Sequence, residues 1–287
     1  MKMSNVLGAF AMAAMCGAAL HAGQGQGRGT STSAGTVTLA GVVRDFRSAN
    51  TRGGHPDFGG SQPAQGRGVY AGIAADTLNA DGDPVFASTG HKVTTQATDA
   101  AARPRICDKA YIAGREGDVA SVVMAEEGHA VASDSSFADW FRDNPLVNMS
   151  APFEIPMTEA NGTLTFDGDL RTQFANLAGF GGNKVFGYTF EVESQIQVSG
   201  QQQLLTFGAD DAVWVYIDGK LVIDLGGNHD YTEQTVDVSR IEGLVPGETY
   251  TLKVFYAERD KSGSRFRMET TGSLMRVVAP PTTIQWD

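Results

Sequence analysis

Apolar and polar positions follow their most regular pattern in the C-terminal half of the chain. Leu204–Phe207 is a short apolar run, and Ala212–Ile217, AVWVYI, is another. Runs of this length, rich in β-branched and aromatic residues and bounded by turn signals, suit strands buried on both faces. Asp218-Gly219 follows, a pair suited to a two-residue type I′ hairpin turn, in which both central residues take positive φ. Lys220–Leu225 then returns, with Leu221, Ile223 and Leu225 expected on one face and Lys220, Val222 and Asp224 on the other. Further strand signals fall at Val185–Val192, Gln234–Val238, Thr249–Tyr256 and Arg265–Thr270, the regular spacing of a sandwich or barrel.

Upstream the signals are sparser. Thr36–Phe46 reads as a strand, and Asn50–Gly68, crowded with Gly, Pro, Gln and Arg, as a loop. That loop holds His55-Pro56-Asp57-Phe58, read either as a ligand pair, His55 with Asp57, or as a turn pinned by Phe58. Asn79–Asp83 opens like a calcium loop, but the position that needs a bidentate Glu falls on Gly90. A turn before a strand at Pro84–Ala87 is therefore expected. Ser133–Asn148 predicts a helix capped by Asp134 or Ser135, with Phe137, Trp140 and Phe141 on one apolar face and Asn144-Pro145 at its end.

Composition sets the setting. The chain has 287 residues and a net charge of −11, with 33 acidic against 22 basic side chains. Such a balance disfavours nucleic acid, which calls for basic patches, and suits a cation binder. Lys2 precedes an apolar segment, Val6–Leu20, of signal-peptide length, with Leu20-His21-Ala22 as the cleavage site. The expected organisation is a signal peptide over 1–22, a Gly/Gln/Ser/Thr-rich leader over 23–35, one domain over 36–275 and an extended tail over 276–287. No later apolar run reaches spanning length, so a secreted or cell-surface protein without stable membrane insertion is expected. Removal of residues 1–22 leaves Cys107 as the lone thiol, which excludes an intrachain disulfide scaffold.

The candidate chemistry is acidic. Gly208-Ala209-Asp210-Asp211 joins two core strands and sets adjacent carboxylates at the mouth of a sheet, where a nearby cation would relieve their repulsion. The five histidines are scattered, which disfavours zinc. No Gly-x-Ser-x-Gly elbow is present, and adjacent aspartates stand too close to act on opposite sides of a glycosidic bond. No catalysis is expected.

Five segments resemble the fibro-slime domain: His55–Phe58, Leu78–Phe86, Phe137–Asp143, Ala209–Gly227 followed by His229, and Tyr256–Arg259. They occur in that family's order and span roughly Leu39–Thr271. That domain is similar to the protective-antigen-like superfamily, and the resemblance implies an all-β, antiparallel β-sandwich with a short helix-containing insertion. In the lectins of that superfamily paired aspartates hold a calcium ion that in turn binds vicinal sugar hydroxyls. Carried over, this implies Ca²⁺ on Asp210 and Asp211, with Glu258 as third ligand where those lectins place an Asn. Asn228 is a reserve ligand. His229 is read as a ligand contact or a core histidine, and Arg259 as a ligand contact or the ion-pair partner of Glu258. Many fibro-slime members carry a third Asp where this chain has Ala212. The implied function is a calcium-dependent carbohydrate-binding or adhesive module of a bacterial surface or extracellular matrix, its partner a glycan or matrix polysaccharide. The alternative is a self-associating structural component of a slime or matrix that binds no sugar.

The apolar Val6–Leu20 segment generates a direct prediction. Mass spectrometry of the exported protein should find a mature chain starting near Gly23, and a soluble cytoplasmic form starting at Met1 would refute it.

Overall fold

The computed structural model describes residues 36–60, 63–98, 119–174, 187–259, 263–272 and 274–276. They all fall in one compact unit, Ala34–Asp287. The expected signal peptide and leader, Cys107 and all but the first residue of the tail lie outside them. Among the described residues no helix is long and apolar enough to cross a membrane.

Among the described residues fourteen strands carry the fold, and all of their pairings are antiparallel. In chain order they are β1 (Thr36–Phe46), β2 (Gly68–Ala71), β3 (His91–Thr95), β4 (Val122–Glu127), β5 (Asn148–Ala160), β6 (Thr163–Asp169), β7 (Tyr188–Gln197), β8 (Leu204–Ala209), β9 (Ala212–Ile217), β10 (Lys220–Asn228), β11 (Thr232–Asp237), β12 (Thr249–Glu258), β13 (Arg265–Thr271) and β14 (Leu274–Arg276). The described residues also form two short α-helices, α1 (Asp134–Phe137) and α2 (Leu170–Phe174).

The strands run in the order β11-β8-β13-β6-β5-β1-β7-β12-β9-β10-β2-β3-β4, with β14 beside β7. Strands far apart in that order share one core. Leu205 and Phe207 of β8 and Phe266 and Met268 of β13 pack in the same cluster as Val213 and Val215 of β9 and Val254 and Tyr256 of β12. The sheet therefore folds back on itself into two layers, as the all-β sandwich expectation holds. β5 makes the corner: it pairs with β1 along Asn148–Thr158 and with β6 over Thr158–Ala160.

β9 and β12 are buried on both faces. Side chains alternate across a strand, and the alternates of the core residues, Ala212, Trp214, Tyr216, Phe255 and Ala257, enter a second cluster outside the sandwich. The segment between β1 and β5 covers them with Phe58, Tyr70, Ile73, Phe137, Trp140 and Phe141. This second core explains why Ala212–Ile217 reads as a continuous apolar run.

The hairpin turn is as expected, with positive φ at Asp218 and Gly219 (53° and 71°). Three expectations need correction. A bulge between Leu221 and Ile223 breaks the β10 alternation, so Leu221 joins the outer cluster while Ile223 and Leu225 join the inner one. The predicted long helix is a single turn, α1, capped by Ser133 in a capping box with Ser136; its aromatics are buried all the same. Pro84–Ala87 makes only an isolated bridge, Phe86 to Ala74. β2 to β6 carry no strand prediction because their apolar residues are few or interrupted by polar ones.

Trp214 has no solvent exposure and packs against Phe137 and Trp140 with ring centroids 5.7 and 5.9 Å away. Truncating a buried aromatic costs about 3–5 kcal/mol. Trp214→Ala should lower stability by that order in urea unfolding; a loss below about 1 kcal/mol, the typical value for an unremarkable substitution, would contradict the two-faced burial of β9.

Candidate functional site

The loop between β8 and β9 is only Asp210 and Asp211, and the two carboxylates go to different places. Asp211 takes φ 88°, uncommon for a residue with a side chain, and is 1 % exposed. Its Oδ1 accepts the main-chain amide of His229 (3.0 Å) and its Oδ2 that of Arg259 (2.7 Å). It thereby ties together the residues that follow β10 and β12. Burial pushes its pKa up to about 7, against the lowering influence of the two amides and of Arg259. Asp210 is half-buried at the rim. Its amide donates to the carbonyl of Arg265 (3.0 Å) and its Oδ2 accepts the Arg265 amide (2.9 Å). A Cβ on Gly263, at φ +86°, would stand 2.7 Å from that same oxygen, so the start of β13 is laid closely against Asp210.

Glu258, the last residue of β12, is fully buried. It lies two residues from Tyr256 and so on the same face, and it accepts the Tyr256 hydroxyl at 3.0 Å. The phenols of Tyr188 and Tyr256 are held well above their ordinary pKa, by burial first and then by the charge of Glu258. Arg259, the next residue, has its guanidinium elsewhere. Its Nε donates to the carbonyl of Asp57 (3.0 Å), its Nη1 to that of Ala130 (2.6 Å), and the group lies 5.2 Å from the Trp140 ring centroid. Arg259 thus clamps the covering segment to the sandwich.

His55 and Asp57 are structural. Asp57 accepts from the amide of Ala132 (2.7 Å) and the indole of Trp140 (3.1 Å), and His55 Nε2 meets the carbonyl of Ser136 at 3.0 Å. Phe58 stacks on Phe46 with centroids 4.0 Å apart, the pinned turn of the sequence reading. Asn228 and His229 are buried. Gly226-Gly227 lies within β10, which runs on to Asn228 and pairs with β2. The chain approaches itself closely here, since a Cβ on Gly227 would meet the Gly68 carbonyl at 2.5 Å. His229 Nδ1 lies 2.9 Å from the carbonyl of Asp230, and burial lowers its pKa. Asp224 accepts the Trp214 indole (3.0 Å) and the Gly72 amide (2.7 Å).

Asp211 therefore joins His229 and Arg259 through their main chains, and of the six candidates only Asp210 reaches solvent. Among the described residues no three His, Cys, Asp or Glu side chains stand together so as to hold a metal ion. As a three-carboxylate set, Asp210, Asp211 and Glu258 do not fit calcium, because Glu258 turns into the tyrosine core and Asp211 is turned inward with a main-chain amide on each oxygen. A polar ladder that none of the sequence motifs above includes stands beside Asp210. Arg265 is bidentate to Asp167 (2.9 and 2.7 Å) and lies 4.3 Å from the Tyr231 ring centroid, and Arg267 pairs with Glu233 and Glu269. The alternation Arg265, Arg267, Glu269 along β13 was its signal.

The strands that form this rim also carry a family signature. Residues 187–279 match the PA14 domain. The matched region runs from β7 through β14, and the PA14 stretch therefore includes Asp210, Asp211 and Glu258 but not the covering segment. Protein psiD of Dictyostelium discoideum is 28% identical over 216 residues, 71% of this chain and 36% of psiD. Protein psiK of the same organism is 51% identical over 65 residues, 23% of this chain and 9% of psiK. The chain thus spans roughly a tenth to a third of these relatives. Among solved structures, the PA14 domain of the MpAFP antifreeze protein aligns at 13% identity and TM-score 0.25, over 42% of this chain and 70% of that one. A β-glucosidase from Kluyveromyces marxianus aligns at 18% identity and TM-score 0.24, over 32% and 11%. Scores of this size carry no argument, and the fold rests on its own strand pairing.

The Asp211 tie makes a pH-dependent prediction. With a folded pKa near 7 against an unfolded value of about 4, the folded state holds the extra proton between those limits. This group's contribution to stability is then fully present below about pH 4 and is lost as pH rises through 7. Asp211→Asn should remove that dependence and, by setting an NH₂ against one main-chain amide, cost about 1–3 kcal/mol at low pH. Chemical denaturation across pH 4 to 8 checks both; an unchanged pH profile in the variant would exclude the tie.

Proposed function

We propose that this chain is a secreted carbohydrate-binding or adhesive module acting at a cell surface or in an extracellular matrix. The observation that carries this reading is the PA14 match over 187–279, a carbohydrate-binding-like β-sandwich domain, on the strands that present the Asp210 rim. The signal-peptide pattern at Val6–Leu20 supports the compartment. The relatives' names state no ligand, so the reading rests on the domain and the rim rather than on them.

Calcium is the finer part of the proposal, and it centres on Asp210. A Ca²⁺ ion takes six to eight oxygens, and its affinity rises with the number of charged ligands. With one solvent-facing carboxylate, binding belongs at the weak end, a Kd of about 10⁻⁴–10⁻³ M as in extracellular modules. Asp210→Asn should abolish any calcium-dependent rise in Tm, whereas Glu258→Gln should change stability equally with and without calcium.

A second reading is favoured by one observation. β4 ends the described sheet, and Val122 and Val123 on it are 55% and 46% exposed. An edge strand with exposed valines is a template for pairing with another copy, which suits a self-assembling matrix component. A glycan array read with and without chelator, beside sedimentation over a concentration series, separates the two. Retained glycans establish the module, and the chelator arm scores calcium. A blank array with concentration-dependent association would make the matrix component the correct reading.

A further inference from the structure

Outside the PA14 region, the segment covering β9 and β12 holds a cleft of about 230 Å³ between the Asn79–Phe86 loop and the α1 turn. It is smaller than the several hundred Å³ that enclose a drug-sized molecule. Its apolar wall is the half-buried ring of Phe86, backed by the buried Phe137, with ring centroids 6.2 Å apart. Its polar wall is Asn79, Asp83, Asp134 and Arg142.

Three of these polar groups, Asn79, Asp83 and Arg142, are held in place by bonds that leave part of each free, and Asp134 stands exposed at the cleft. Asn79 Oδ1 accepts the amides of Asp81 and Asp83, both at 2.9 Å, which fixes the side-chain plane and leaves the two Nδ2 hydrogens as donors. Asp83 Oδ2 accepts Arg142 Nε at 3.1 Å, leaving Oδ1 as an acceptor. Arg142, half-exposed, approaches Asp81 at 3.7 Å and keeps further N–H donors. The wall thus offers donors and acceptors side by side.

The charge pattern selects the ligand. Asp81 and Asp83 stand 3.7 and 3.1 Å from the one guanidinium and Asp134 lines the same cleft, so an anion is repelled, and Arg142 beside the carboxylates disfavours a simple cation. A neutral ring with vicinal hydroxyls on its edge and an apolar face satisfies both walls: the hydroxyls both donate and accept, and the C–H face meets the aromatic side. We infer that this cleft binds a single neutral pyranose residue of a glycan. The inference rests on the carbohydrate-binding reading and gives it a second site, independent of the Asp210 rim.

The test is a titration of ¹⁵N-labelled protein with the methyl glycosides of glucose, mannose and galactose, beside the glycan array. At least one glycoside should give saturable shifts at the amides of Asn79, Ala138 and Arg142. Asp134→Ala, which removes a solvent-exposed carboxylate, should weaken that binding roughly fivefold, the equivalent of one net hydrogen bond, and Phe86→Ala should abolish it, with the remaining spectrum unchanged as the control for folding. Shifts confined to the Asp210 rim, or shifts at the cleft that neither variant alters, would overturn the assignment. Glycans retained on the array with no shift at the cleft defeat the cleft alone. A blank array with no shifts defeats the module reading and the cleft together, and a blank array with saturable cleft shifts removes the array evidence while leaving the cleft standing.

Discussion

The structure depends on how Arg259 is buried. Removing a guanidinium from water costs several kcal/mol unless its donors are satisfied. Here two carbonyls take them, those of Asp57 and Ala130, and the face of Trp140 lies beside the cation. Both carbonyls belong to the covering segment, whereas Arg259 itself leaves the end of β12. Its amide is held by Asp211, whose other oxygen holds the residue after β10. One residue therefore links the sandwich, the segment on its outer face and the short loop between β8 and β9.

That linkage makes the two-sided burial of β9 workable. A strand of six apolar residues needs an apolar partner on each face, and the inner core supplies only one. The second partner is a segment with little regular structure of its own, organised by aromatic contacts and by Asp57, which bonds the Trp140 indole and the Ala132 amide. The single-turn α1 follows from the same demand. Phe137, Trp140 and Phe141 reach the outer face without a long helix, and the Asn144-Pro145 pair closes the segment before β5 begins.

How much of this the sequence disclosed depends on the kind of signal. Apolar runs bounded by turns identified β1, β9 and the Asp218-Gly219 hairpin closely, because a local pattern and the tertiary burial agree there. β5 and β6 were hidden: NMSAPFEIPMTEA mixes prolines and charges into a corner strand, and only its pairing on both sides shows why it is extended. The β10 bulge was hidden too, since the alternation Leu221, Ile223, Leu225 looks unbroken until one residue is left unpaired. The site was legible as a place and not as an arrangement. Asp211, His229 and Arg259 do meet, but through main-chain amides, which no side-chain motif records.

The division between Asp210 and Asp211 turns on one torsion. Adjacent residues in an extended chain point to opposite faces, and both carboxylates of an exposed loop would ordinarily stay in water. The positive φ of Asp211 turns its side chain inward instead, where two amides meet it. Burial raises its pKa, and this lessens the repulsion with its neighbour by favouring the proton rather than by recruiting a cation. The acidic pair therefore does not by itself demand a metal. What it provides is one buried tie that fixes the rim and one carboxylate left open to whatever the rim meets, and the rigidity of the first determines where the second stands.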